Sequence, residues 1–207
     1  MKKYVICIPA SDDFALAAAV LIHSIKKNLR LVDDCDFVVP YNNLNEASMN
    51  LIRKAHSETM FKPPRNSDFY KHIPRTIYGV GNFDVYLSFE TFSQIGYERS
   101  IYLDADMLCT GDFSDIVEDE KQIIWKFPNL GILVVGDKYL TGQAYDEMVK
   151  AVVNTLKTDP MAIRLRVNTS SAPPIQMLRL FQIIIIFKNL VAVARVPPNI
   201  MMKKQTK

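Results

Sequence analysis

The chain has 207 residues, 49% hydrophobic and 23% charged, the usual composition of one globular domain with room for a small appendage. A formal charge of +3 and a pI near 8.7 argue against a nucleic-acid partner, because Lys and Arg are scattered rather than gathered on one face, apart from Lys203, Lys204 and Lys207. Three cysteines, Cys7, Cys35 and Cys109, without CxxC spacing support neither a disulfide framework nor a zinc site, and make a reducing, cytoplasmic compartment the default.

The first element in chain order is a strand over Tyr4 to Ile8. The opening "MKKYVICIPASDD" resembles a signal peptide only until Pro9 and Ser11-Asp12-Asp13 interrupt the apolar run. Apolar residues recurring at three and four then predict a helix from Asp12 to Leu29, capped by Asp12 or Asp13. A second strand over Asp36 to Val39 is closed by Pro40, and a second helix over Leu44 to Ala55 takes Asn43 as its cap. A third strand over Glu58 to Phe61 precedes Pro63-Pro64. This alternation predicts an α/β fold, a Rossmann-like, mostly parallel sheet flanked by helices. A helix over Asp84 to Ile95 leads into "RSIYLDADML", Gly131 to Val135 forms another buried strand, and Tyr145 to Leu156 is an amphipathic helix.

The core is therefore expected over residues 1–156, with 157–207 an irregular segment. "TDPMAIRLRVNTSSAPPIQ" reads as a connection, and the apolar stretch from Phe181 to Val196 fits strands or a helix equally. Lys188 and Asn189 interrupt that stretch well short of the ~20 residues a membrane span needs. No transmembrane segment is expected, whereas peripheral membrane contact and a homo-oligomer stay open.

The chemistry-bearing feature is Asp104-Ala105-Asp106, which follows Ile101-Tyr102-Leu103. If the chain stays extended past Leu103, side chains at i and i+2 point the same way, and Asp104 and Asp106 converge on one ion. Ligands of open α/β sheets gather at the carboxyl ends of strands, where this pair sits. Carboxylates without thiolate or imidazole neighbours suit Mn²⁺ or Mg²⁺, and such an ion could bridge a nucleotide diphosphate. The other reading is a polar turn, since Asp-x-Asp is common in loops. Ser11-Asp12-Asp13 lies at the same sheet edge, with a plain helix cap as its alternative. Asn129 and Gly131 precede another buried strand, where a glycine permits close backbone approach or simply makes a turn. His23, His56 and His72 are read as structural or surface residues.

Together these residues resemble a known family. "YERSIYLDADMLCTGDFSDI", Tyr97 to Ile116, is similar to the signature of the family 8 glycosyltransferases, the group of glycogenin and bacterial lipopolysaccharide galactosyl- and glucosyltransferases. "PASDDFALAAAVLIHSIKKN", Pro9 to Asn28, is similar to the family's first turn and helix, and "NLGILVVGDKYLTGQAYDEMVKAV", Asn129 to Val152, to its Asn-small-Gly strand and helix. The resemblance implies a GT-A fold and a retaining, Mn²⁺-dependent transferase moving a hexose from a UDP-sugar to a glycan or protein acceptor. It implies that Asp104 and Asp106 hold the metal, with Asp104 also near the ribose. Ala10, Ser11 and Asp12 would line the uridine, Phe14 would lie against the base, and Ala105 belongs to the same nucleotide-sugar set. Asn129 and Gly131 would face the donor sugar, and Gln182 would be the catalytic residue.

Several positions depart from the family pattern. Ser88 stands where the family has a lysine, sixteen residues before Asp104. Phe181-Gln182 corresponds to its Asp-Gln, and its closing HxxGxxKPW motif has no counterpart before Lys207. These departures keep a second reading alive, a catalytically inactive homologue that only binds sugar nucleotide. A haloacid-dehalogenase-type phosphatase also uses Asp-x-Asp, but Met107-Leu108 and the mid-chain position count against it.

Overall fold

A computed structural model describes residues 2–71, 83–125, 131–158, 194–195 and 202–204. Its frame is a seven-stranded sheet in the order β3-β2-β1-β4-β7-β6-β8. The strands are β1 (Tyr4–Cys7), β2 (Cys35–Pro40), β3 (Met60–Lys62), β4 (Arg99–Leu103), β6 (Ile123–Trp125), β7 (Ile132–Gly136) and β8 (Ala194–Arg195). β1, β2, β3 and β4 run parallel, β7 is antiparallel to both β4 and β6, and β8 is parallel to β6. A separate pair joins β5 (Met107–Cys109) to β9 (Met202–Lys204).

Every residue of β1, β4 and β7 is buried; β1 and β7 read as continuous apolar runs rather than alternating ones, and β4 does so from Ile101 onward, after the buried Arg99 and Ser100. Successive side chains still point to opposite faces. Tyr4, Ile6, Ile101, Leu103, Ile132 and Val134 pack into one apolar layer; Val5, Tyr102, Leu133 and Val135 pack into the other. The first layer is closed by α1 (Ala15–Asn28), α2 (Glu46–Ala55) and the short α4 (Ser114–Val117). The second is closed by α3 (Ser67–Lys71), a run of 3₁₀ turns over Phe83–Ser93 and α5 (Gly142–Thr158).

Local chemistry moves several of the expected boundaries. Asp12 and Asp13 form a 3₁₀ turn, Asp12–Phe14, ahead of α1, and neither caps that helix. The cap of α2 is Asn45, whose side chain accepts from the Ser48 N–H at 2.9 Å, in place of Asn43. Pro40 is the last residue of β2 rather than its stop, because it lacks only a donor and its carbonyl still accepts from Ala10 N–H at 3.2 Å. The segment expected as a helix over Asp84 to Ile95 is 3₁₀ in character. It ends near Gly96, whose φ of 95° only glycine adopts without strain. Thr141 Oγ1 accepts from Ala144 N–H at 3.1 Å and starts α5 three residues before the expected Tyr145.

β6, α4 and the β5–β9 pair were not expected. At the far end of α1, Asn28 Nδ2 donates to the carbonyls of Ser24 at 2.8 Å and Cys109 at 2.9 Å, tying the helix to β5. Of the stretch from Phe181 to Val196, only residues 194–195 are described, as strand β8; the expected connection beyond Thr158 lies outside the described residues.

Candidate active site

The sheet order reverses direction at β1, with β2 on one side and β4 on the other. The carboxyl ends of β1 and β4 thus meet at a topological switch point, where open α/β sheets form their crevice. After β1 the chain keeps pairing with β2, through Ile8 N–H to Val38 O at 2.9 Å and then Ala10 N–H to Pro40 O. Ala10 is buried in the first apolar layer, so its side chain faces the core. Ser11 is extended and half-buried, and its carbonyl accepts from Phe14 N–H at 3.0 Å. Phe14 packs against the same layer.

Asp12 is exposed and has a role the sequence did not signal. Its Oδ1 accepts from Asn45 N–H at 2.9 Å, at the start of α2. That bond, followed by one with Ser48, holds its carboxyl below the usual carboxylate range. A negative charge beside the N-terminus of α2 is also favoured by the helix dipole.

At the end of β4 the chain does not stay extended. Met107 N–H donates to Asp104 O at 3.1 Å, closing a turn over Asp104-Ala105-Asp106-Met107. The expected i, i+2 alternation past Leu103 is therefore replaced by a β-turn, since that bond closes a four-residue loop with Ala105 and Asp106 as its two central residues. Asp104 N–H donates to Gly131 O at 3.1 Å, joining the turn to the start of β7. Ala105 is buried in the first layer, while Asp104 and Asp106 are half-buried.

Gly131 is brought against this turn. A Cβ at that position would lie 3.4 Å from Asp104 Oδ2 and 3.0 Å from Met107 Sδ. The missing side chain leaves room beside the carboxylate. On its other oxygen, Oδ1, Asp104 accepts a hydrogen bond from the Tyr102 hydroxyl. The Tyr102 hydroxyl is pushed well above its ordinary pKa, first by burial, then by the Asp104 charge and hydrogen bond, with a smaller push from Asp106. Both carboxylates of the motif therefore bear on one phenol. From sequence Tyr102 reads only as a strand residue, and the fold is what brings its hydroxyl to Asp104.

Among the described residues, no group of three or more His, Cys, Asp or Glu side chains converges as a complete metal site. His23 is exposed on α1, and His56 sets its ring edge-on to Phe37 at 4.9 Å. His72, Asn129 and Gln182 lie outside the described residues. Ser88 is buried within the 3₁₀ segment.

The model of glycosyl transferase family 8 matches residues 5–122. The chain belongs to glycosyl transferase family 8. Comparison with curated proteins gave no match. Among solved structures, an active-site mutant of LgtC superposes with a TM-score of 0.66 at 13% identity, covering 93% of this chain and 72% of that one. The galactosyltransferase LgtC in complex with donor and acceptor sugar analogues gives 0.63 at 15% identity, covering 86% and 70%. GlyE of Streptococcus pneumoniae TIGR4 gives 0.58 at 12% identity, covering 94% of this chain and 45% of its own length. The family 8 chain therefore has a GT-A fold, and its family is one of glycosyltransferases. No helix among the described residues is long and apolar enough to cross a membrane.

Proposed function

We propose that this family 8 chain is a retaining hexosyltransferase that takes its sugar from a UDP-sugar and passes it to a glycan or protein acceptor. The observation that carries the reading is Asp104 at the switch point, its Oδ2 beside a glycine that leaves space in front of it. Two half-buried carboxylates with no thiolate beside them suit a hard divalent cation, Mn²⁺ or Mg²⁺. With Asp104 and Asp106 as its protein ligands, that cation would offset the negative charge that builds as UDP leaves.

The chain's own groups divide the remaining work. Ser11 and the backbone of Ala10 border the uridine, Phe14 offers an aromatic edge near the base, and Asp12 holds the start of α2 in place beside them. Ala105 keeps the turn seated in the core so that the carboxylates on either side face the crevice. Gly131 and Asn129 lie on the donor-sugar side, and Gln182 is assigned the position beside the reacting carbon. LgtC crystallised with donor and acceptor sugar analogues supports a donor and an acceptor as partners. The free, buried cysteines Cys7, Cys35 and Cys109 support a reducing, cytoplasmic compartment. Residues 1–156 are assigned as the GT-A unit.

The test is calorimetric titration of UDP with and without Mn²⁺, on the protein and on Asp106→Ala. Binding that needs Mn²⁺ and weakens at least tenfold in the variant is expected. UDP binding indifferent to both would sink the metal reading. Buried Ser88 favours a second reading in which sugar nucleotide binds without transfer. Release of hexose from UDP-glucose or UDP-galactose separates the two, since a binding-only protein gives none.

A further inference from the structure

Asp104 is held at three places. Its N–H donates to Gly131 O and its carbonyl accepts from Met107 N–H, so its backbone is pinned on both sides. The side chain is engaged as well, since the Tyr102 hydroxyl donates to one of its carboxylate oxygens. Tyr102 can do this because of where β4 sits. It lies opposite Cys7 of β1 and Leu133 of β7, in the middle of the sheet, and only 9% of its surface is exposed. Its ring is packed in the second apolar layer with Val5, Leu133 and Val135. Such a ring has little rotamer freedom of its own, and a hydrogen bond from it transmits that rigidity.

We infer that Tyr102 is a positioning residue, whose hydroxyl orients the Asp104 carboxylate so that Oδ2, on the Gly131 side, is presented to the cation. The inference rests on the metal reading of Asp104 and Asp106 proposed above. Outer partners of metal-ligating carboxylates set ligand orientation, and their loss typically costs 10- to 100-fold in metal affinity. Without the hydroxyl, the Asp104 carboxylate loses the partner on Oδ1, and part of the binding free energy goes into ordering it.

The test is Mn²⁺ binding followed by loss of the free-ion electron paramagnetic resonance signal, in the presence of UDP, for the protein, Tyr102→Phe and Asp104→Asn. Tyr102→Phe is expected to raise the Mn²⁺ midpoint about tenfold, while UDP affinity recovers once Mn²⁺ is saturating. Asp104→Asn should lose more and should not recover. A merely structural tyrosine would instead weaken UDP binding equally at every Mn²⁺ concentration. An unchanged midpoint in Tyr102→Phe, with the parent protein still Mn²⁺-dependent, overturns the inference and leaves the metal reading standing. A parent protein whose UDP binding ignores Mn²⁺ overturns both. If Tyr102→Phe does not fold, the hydroxyl proton of Tyr102 in the parent protein carries the test by NMR: a protected resonance that is lost in Asp104→Ala supports the inference, and one that is unaltered overturns it.

Discussion

The two layers that cover the sheet are held in different ways. On the side of α1 and α2, Ile6, Ile8, Leu21, Ile22, Ile25 and Ile52 are fully buried and the packing is mainly aliphatic, with Tyr4, Phe37 and Phe113 among it. On the side of α3 and α5, a carboxylate sits in the middle of the apolar layer. Glu90 is 2% exposed; the hydroxyls of Tyr70 and Tyr145 donate to its Oε1 at 2.7 and 2.8 Å, and Arg65 N–H donates to Oε2 at 3.1 Å. Burial, and then the Glu90 charge, raise both tyrosine hydroxyls above their ordinary pKa. An aliphatic layer tolerates changes of shape at modest cost, whereas a buried polar knot has to be satisfied bond by bond. The second layer therefore gains directional specificity where its covering elements are short or 3₁₀ in character.

The contrast can be broken most directly at Glu90. Glu90→Ala leaves two buried hydroxyls and one N–H without their acceptor and is expected to cost about 4 kcal/mol by urea denaturation, at roughly 1–3 kcal/mol for each orphaned group with partial relaxation. Glu90→Gln keeps one acceptor oxygen and should cost about half as much; a loss under about 1 kcal/mol in Glu90→Ala would show that the knot is not what holds the layer. In the aliphatic layer, Ile22→Ala is expected to cost about 3 kcal/mol, with the protein still cooperative. Asn45→Ala removes the cap of α2 and should cost about 1 kcal/mol, read as a lower denaturation midpoint at unchanged slope.

The smallest effect concerns pH. Burial, then the nearby Lys26 charge, lower the pKa of His56 below its ordinary 6.5. The unfolded chain therefore takes up this proton first, so the contribution of His56 is present above that value and is lost as pH falls through it. Melting temperature should decline slightly more between pH 7 and pH 5.5 in the parent protein than in His56→Gln. Equal slopes would remove His56 from the account.

The aliphatic layer was also the legible one. β1 and β7 stand out as continuous apolar runs, Phe37 to Val39 and Ile101 to Leu103 mark β2 and β4, and the Ala, Leu and Ile periodicity of α1 marks its buried face. Glu90 carries no such signal, because its partners are 20 and 55 residues away in sequence and a glutamate in a helical stretch is ordinarily solvated. β6, at three residues, is too short for any periodicity to register. At the site, Asp104, Asp106 and Gly131 were identifiable by residue type and place. The turn that carries the aspartates was not, since nothing in Asp-Ala-Asp distinguishes an extended chain from one closed by Met107 N–H. Tyr102 was hidden for a different reason: a tyrosine in a strand reads as a β-former, and only the fold shows that its hydroxyl has a carboxylate to meet.

The central place of β1 also bears on how the molecule is made. Tyr4 pairs with Cys35 on one side and with Arg99 on the other, so one edge of β1 can be filled early in synthesis while the second waits for roughly ninety more residues. At about 5–20 residues per second that edge stays open for several seconds. Nascent chains arrested before β4 emerges are expected to cross-link to chaperones through Val5 and Cys7, and to lose those cross-links once Arg99 to Leu103 has cleared the ribosome. The strand at the switch point is the first to be made, and one of its edges stays open until the fourth strand is complete.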